Sequence, residues 1–144
     1  MSIAIEPARP SDASAVLSLL AACGLPELGV TEHLGTAVVA RDASRVLGCA
    51  ALEMYDDGAL LRSVAVHASV RGTGLGQQLV SAALALADDR QAKAVYLLTT
   101  TAGGFFPRFG FERITRSDVP AGVRQSAEFQ GCCCATALVM RRRR

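Results

Sequence analysis

The sequence predicts a mixed α/β domain in which a mainly antiparallel sheet contains one parallel pair of strands around a central helix. Three observations predict it. Three β-rich runs, Gly35–Arg41, Arg45–Tyr55 and Ala59–Val66, follow one another across short turns. The apolar period then changes to roughly 3.6 over Gly74–Asp89, where Leu75, Leu79, Ala83, Leu86 and Ala87 share one helical face. After that helix comes Ala94–Thr100, a nearly unbroken apolar run of the kind found in strands covered on both faces. A strand, a crossover helix and a second strand in this order make a parallel pair.

The remaining elements follow in chain order. Ile3–Glu6 alternates in polarity and reads as a first strand. Pro10-Ser11-Asp12 opens a helix, with Ser11 or Asp12 as its cap. Val16, Leu17, Leu19 and Leu20 give it an apolar stripe, and Gly24 and Pro26 stop it. Leu28–Leu34 is read as a short second helix. The turns of the meander are Asp42-Ala43-Ser44 and Asp56-Asp57-Gly58, the second a strong hairpin signal. Gly104–Phe109 reads as a short helix ended by Gly110, and Phe111–Thr115 as a strand. Ser117-Asp118 caps a further short helix towards Ala127, and Cys133–Met140 closes the sheet.

A chain of 144 residues fits one domain, taken as residues 1–144. Hydrophobic residues make up 51% and charged residues 19%, which excludes a disordered chain. The net charge of +2 excludes the basic excess of a nucleic-acid binder. The longest apolar stretch, Leu79–Ala87, is broken by Ser81 and falls short of the roughly 20 residues of a membrane span. Met1–Glu6 lacks the basic start and apolar run of a signal peptide. The expectation is a cytoplasmic protein whose five cysteines are thiols. Arg141–Arg144 reads as a solvated, frayed terminus, with a polybasic contact to acidic surfaces as the alternative.

The stretch that carries chemistry is Leu60–Gly76. Gly72, Gly74 and Gly76 stand between a strand and a helix start. Glycine lets backbone N–H groups approach an anion closely, and the helix start adds unpaired donors and partial positive charge. Together they make a diphosphate cradle, with Arg71 as a positive charge beside it. No Gly-Lys-Ser/Thr follows, so this is not a P-loop. A dinucleotide fingerprint would need its third glycine at Gln77 or Leu79. The alternative is a glycine-rich turn with no ligand.

Arg71-Gly72-Thr73-Gly74-Leu75-Gly76, preceded by the strand Val64-Ala65-Val66, resembles the acyl-CoA loop of the GNAT superfamily of N-acyltransferases. Phe105-Phe106-Pro107-Arg108-Phe109-Gly110-Phe111 resembles that superfamily's helix-plus-Gly-Phe element. The resemblance covers nearly the whole chain. It implies a GNAT-type sheet with helices on both faces, splayed between the fourth and fifth strands to admit acetyl-CoA as co-substrate, with no metal. Val64, Ala65 and Val66 would pair with the pantetheine arm, and one of their N–H groups would polarise the thioester carbonyl. Arg71, Gly72, Thr73, Gly74, Leu75 and Gly76 would hold the pyrophosphate, and the acceptor amine would attack the thioester directly. Two positions depart from the family. Phe106 stands where many members carry a tyrosine that protonates the departing thiolate. Thr99, Thr100 and Thr101 stand where an asparagine is frequent. Either another group or water serves as the acid, or the site is weak or inactive; a CoA thiol leaves readily near neutral pH, so loss of the acid need not abolish turnover.

The acceptor side is read from single residues. Glu53, late in the third strand, is either a water-relayed base or a solvent-facing glutamate. Arg62, mid-strand among apolar residues, needs a partner. It is either a fork for an acceptor's carboxylate or half of an internal ion pair, for instance with Glu53. Thr99 is a second acceptor-side candidate. Arg124 and Glu128 either wall the acceptor pocket or lie on the surface. His67 reads as a loop residue near the pyrophosphate and His33 as surface. Cys132-Cys133-Cys134 reads as strand packing, because neighbours on a strand alternate faces and do not converge on a metal.

The run LLRSVAV, RGTGLG, YLLTTTA, FF-x-R-x-GF and VPAGVRQSAEF resembles the small arsenic-resistance N-acetyltransferases within that superfamily. That resemblance implies a small amino-acid-like amine as acceptor, with arsenic- and phosphinate-bearing amino acids in the class. No nucleic acid or membrane partner is expected, and a homodimer is. Two alternatives stay open: a non-catalytic acyl-CoA sensor, and an acetyltransferase acting on protein lysines or N-termini.

Overall fold

The computed structural model describes residues 3–100, 102–132 and 137–143, with the backbone alone at Cys132. Among these residues seven strands form one open sheet: β1 (Ala4–Pro7), β2 (Ala37–Asp42), β3 (Arg45–Tyr55), β4 (Gly58–Val66), β5 (Ala94–Thr99), β6 (Glu112–Ile114) and β7 (Leu138–Arg143). The helices are α1 (Ala13–Ala22), α2 (Leu75–Asp89) and the single-turn α3 (Ala121–Arg124). Strand order is β1-β2-β3-β4-β5-β7-β6, and β4–β5 is the parallel pair, bridged by α2 as the crossover.

The sheet is covered on both faces. Leu75, Leu79 and Ala83 of α2 pack on Leu47, Leu52 and Leu61. Val16 and Leu20 of α1 pack on Val39, Ala51 and Ala65. A third cluster joins Val119 and Val123 to Leu60, Tyr96 and Val139. Leu20 and Leu79 are fully buried, and each such side chain contributes about 2 kcal/mol.

One irregularity positions the site. Cys49 pairs with Ala65 and Ala51 with Arg62, so β4 carries one residue more than β3 across this step. The extra residue is absorbed at Ser63, which adopts a φ of +57°. A bulge bends its strand and shifts later side chains by one place. Accordingly Ala59 and Leu61 face the α2 cluster before the bulge, and Val64 and Val66 face it after. β4 and β5 pair only at Ala59↔Val95 and Leu60↔Tyr96, and the paired registers stop short of the bulge. The two strands separate at the place the resemblance implied.

Several sequence expectations change in detail. Asp12 closes a 3₁₀ turn, Pro10–Asp12, and its carboxylate accepts from the Arg9 N–H at 2.8 Å and from Arg41 Nη2 at 2.7 Å. It therefore braces β2 instead of capping α1 forward. The second helix is a 3₁₀ segment, Val30–Thr36, interrupted at His33. The Gly104–Phe109 helix contracts to a 3₁₀ turn, Phe106–Phe109. The helix expected towards Ala127 is split by Pro120 into a turn at Arg116–Asp118 and α3. Asp118 caps that turn through the Thr115 N–H, at 3.1 Å.

The largest change is at the C-terminal end. β7 runs three residues past Met140 into the arginines, so Arg141–Arg143 are not a frayed tail. Arg141 pairs with Tyr96 on one side and Glu112 on the other. A strand lying between two others satisfies its backbone on both edges, and that outweighs the polarity of its side chains. Cys133 and Cys134, with the start of the expected closing strand, lie outside the described residues.

Candidate acyl-CoA and acceptor site

After Val66 the chain leaves the sheet. His67 Nδ1 accepts from the Ser69 N–H at 3.0 Å and caps the turn Ala68–Val70, the loop position expected of it. The loop Arg71–Gly74 then delivers the chain to the start of α2. Gly72 and Gly74 have φ of +81° and +85°, a conformation that disfavours every residue with a Cβ. A Cβ built at either would meet no atom within 4 Å, so both face open space. Thr73 Oγ1 donates to the Val70 carbonyl at 2.6 Å and holds the loop closed. The first-turn N–H groups of α2 have no partner within the helix and open onto this loop. A groove of about 300 Å³ follows it, floored by Leu75 and Gly76. Arg71 lies along β4, with Nε donating to the Val66 carbonyl at 3.2 Å and Nη2 3.5 Å from Cys23 Sγ.

The groove continues between the separating strands. Val66, Arg71, Gly76 and Phe105 line both it and a cavity of about 820 Å³. β4 supplies Leu61–Val64 to that cavity and β5 supplies Leu97–Thr99, with Thr100 beyond its end. Thr99 faces the cavity, and its hydroxyl accepts from the Ala102 N–H at 3.0 Å. Thr101 lies outside the described residues. Phe106 is buried at the cavity wall, edge-on to Phe105 at 5.1 Å and to Phe111 at 5.7 Å. Phe106, where the resemblance implied a tyrosine, therefore presents a phenyl ring to the cavity.

The far wall is charged. Arg62 has no exposed side-chain surface. Its Nη1 donates to Glu53 Oε2 at 2.7 Å, its Nε to Ser63 Oγ at 3.1 Å and its Nη2 to the Pro26 carbonyl at 3.4 Å. Glu128 Oε2 stands 3.5 Å from Arg62 Nε. The internal-pair reading of Arg62 is the one its geometry displays, with a second carboxylate beside it. Glu53 is 2% exposed, which corrects the solvent-facing reading. The Tyr55 hydroxyl donates to Glu53 Oε1, and His33 Nε2 lies 3.4 Å from the same oxygen. His33 is thus half-buried against this cluster, not a surface residue. Burial and the Glu53 hydrogen bond hold the Tyr55 hydroxyl well above the usual phenol range. On the α1 face, burial pushes the Cys49 thiol up to about 12.

Arg62 and Glu128 line the cavity, and Glu53 sits behind Arg62 outside the lining. Arg124 is exposed. The Glu53–Arg62 meeting had a sequence signal. A hairpin closing Tyr55 on Gly58 places Glu53 opposite Leu60, one diagonal step from Arg62. Glu128, read from the sequence as either a pocket wall or a surface residue, lines the cavity, brought in from a segment beyond α3. Among the described residues no group of three or more His, Cys, Asp or Glu side chains is disposed to hold a metal ion. Among them, too, no helix is long and apolar enough to cross a membrane.

This groove and fold are those of the acetyltransferase (GNAT) domain family, and the chain belongs to it: the family's profile matches residues 33–113, more than half of the chain. An uncharacterised N-acetyltransferase of Chlorobaculum tepidum is 34% identical over 92 residues, covering 63% of this chain and 59% of that protein. An amino-acid acetyltransferase of Mycobacterium tuberculosis is 38% identical over 80 residues, covering 55% and 45%. The chain thus spans about half the length of these relatives. A Mycobacterium tuberculosis protein solved in complex with CoA superposes with a TM-score of 0.83 at 27% identity, covering 98% of this chain and 99% of that one. N-acetylglutamate synthase of Neisseria gonorrhoeae, solved with coenzyme A and N-acetyl-glutamate, shares the fold with a TM-score of 0.83 at 20% identity over 99% of this chain and 35% of that one.

Proposed function

We propose that this domain transfers an acetyl group from acetyl-CoA to the primary amine of a small, amino-acid-like acceptor. The observation that carries the reading is the continuous channel from the Gly72–Gly76 loop, past Val66, into the cavity between β4 and β5. The residues present fit the co-substrate. Gly72 and Gly74 leave open space where a Cβ would stand, and the start of α2 supplies N–H donors for a pyrophosphate. When bound, acetyl-CoA supplies an activated thioester.

The chain's own residues do the rest. Arg71, Gly72, Thr73, Gly74, Leu75 and Gly76 hold the diphosphate. The edge of Val64, Ala65 and Val66, which no strand among the described residues covers on the β5 side, pairs with an extended amide chain and aims an N–H at the carbonyl oxygen. Thr99 and the Arg62 wall bound the acceptor end. Phe106 and Leu97 exclude water from the apolar side of the cavity. The amino-acid character of the acceptor is supported by the name of the 38% identical relative. It extends to the phosphinate- and arsenic-bearing amino acids implied by the group the sequence resembles. Phe106 favours a second reading, a domain that binds acyl-CoA without turning it over, since a phenyl ring donates no proton to a thiolate.

Thermal unfolding with and without acetyl-CoA tests the binding. Ligand at a hundred times its dissociation constant stabilises a fold by about 2.7 kcal/mol, which for a domain of this length raises Tm by roughly 8 °C. No shift at millimolar acetyl-CoA removes the proposal. A shift followed by thiol release with one of the L-amino acids supports transfer, and a shift without release from any of them supports the binding module.

A further inference from the structure

The charged wall is unequal. Arg62 brings one positive charge to two carboxylates, and its closest contact is with Glu53 at 2.7 Å. Glu53 also takes the Tyr55 hydroxyl and faces His33. Arg62 spends its other nitrogens on Ser63 and Pro26, so its donors are directed at groups of the protein. Glu128 stands 3.5 Å from Arg62 Nε, and of the two carboxylates it is the one that lines the cavity. It is 5% exposed, so whatever it touches in the cavity is met with little screening by water. Besides Arg62 and Glu128, the charged residue among the described lining is Arg71, beyond Val66 at the cradle end.

We infer that Glu128 receives the ammonium group of the acceptor and takes its proton, with Arg62 and Glu53 as positioning residues that hold Glu128 in place. This rests on the acetyl-transfer reading above. An ammonium has no lone pair and cannot attack. One N–H proton passes to the Glu128 carboxylate, leaving a neutral amine. The nitrogen lone pair forms the N–C bond to the thioester carbonyl carbon as the C–S bond breaks, and the sulfur leaves with that electron pair. The nitrogen then sheds its second proton through solvent to the thiolate, and Glu128 returns its own proton to water. The sum is an amide, a thiol and one proton released. Arg62, with both carboxylates beside it, is a poor anchor for an acceptor's carboxylate, so recognition is centred on the amine.

The test is Glu128→Gln, read by acetyl-CoA thermal shift and by kcat/KM from pH 6 to 9.5 with the L-amino acid that wild type acetylates fastest. The variant is expected to keep the wild-type acetyl-CoA shift and to lose at least a hundredfold in kcat/KM at pH 7, the scale of general-base catalysis. The deficit is expected to narrow as pH rises, because more of the amine then arrives neutral. A purely structural role would lower turnover by the same factor at every pH, and that result overturns the inference, as does wild-type turnover. Should the glutamine variant not fold, Glu128→Asp decides: it keeps the charge and shortens the reach. A loss of tenfold or more with an intact acetyl-CoA shift is expected of it, and unchanged kcat/KM overturns the inference. Failure of wild type to bind acetyl-CoA removes the function itself. Binding by wild type without turnover of any L-amino acid removes the proton-transfer role while leaving the cradle.

Discussion

The two ends of the cavity are built in opposite ways. The cradle end is made of backbone: two glycines at positive φ, a helix start, and the bare edge of a bulged strand. The charged end is made of side chains, Glu53, Arg62 and Glu128, brought together from three separate segments and buried. Backbone N–H donors survive every substitution except proline, so the cradle is most simply blocked by adding atoms. Buried charges are interdependent, so the wall is broken by removing one.

This contrast makes the cradle sensitive in ligand binding and the wall sensitive in folding. The largest effect is expected from Arg62→Met, which leaves two buried carboxylates without their shared cation. Breaking a buried pair this way costs about 3–5 kcal/mol, readable in urea unfolding. Adding Glu53→Gln should recover part of that loss, because the two sites are coupled. Full additivity of the two changes would mean the wall is not one unit.

Gly74→Val should act the other way round. Its Cβ meets nothing within 4 Å, so its cost to folding is the backbone strain at φ +85°, about 1–2 kcal/mol. The new side chain projects into the open cradle, so the stabilisation of about 2.7 kcal/mol expected from saturating acetyl-CoA should vanish. A thermal shift preserved in this variant would place the ligand elsewhere.

A smaller effect, from a charged pair outside the cavity, calibrates both. The Arg41 guanidinium hydrogen-bonds Asp12 and holds its carboxyl below the ordinary 3.8, against the opposing pull of burial. A carboxyl lowered in the folded state stabilises the fold fully above its unfolded pKa, and that stabilisation fades as pH falls through the folded value. Asp12→Asn should therefore cost about 2 kcal/mol at pH 7, and the gap between variant and wild type should close as pH falls below 3.8. A gap constant with pH would mean that shape, not charge, joins the first turn to β2.

What could be read from the chain follows the same division. The loop Arg71–Gly76 was legible because its chemistry is local: glycines, a preceding strand and a following helix within seventeen residues, Leu60–Gly76. The β3–β4 hairpin was legible for the same reason, and its register already brought Arg62 within a diagonal of Glu53. The bulge at Ser63 was not. Serine is an unremarked strand residue, and its φ of +57° is imposed by the strands and helices around it. The arginines at the end read as solvated because charge is a statement about side chains, whereas strand membership is decided by the backbone partners offered by β5 and β6.

By itself, then, the sequence determined the element order, the parallel pair about α2 and the place of the glycine loop before that helix, since each depends on neighbours a few residues apart. Tertiary structure alone decided where β4 parts from β5, that Glu53 is buried behind Arg62, and that Glu128 faces the cavity. Those outcomes depend on which distant segments share a desolvated space. There the energy of a charge is set by its partners in three dimensions and not by its place in the chain.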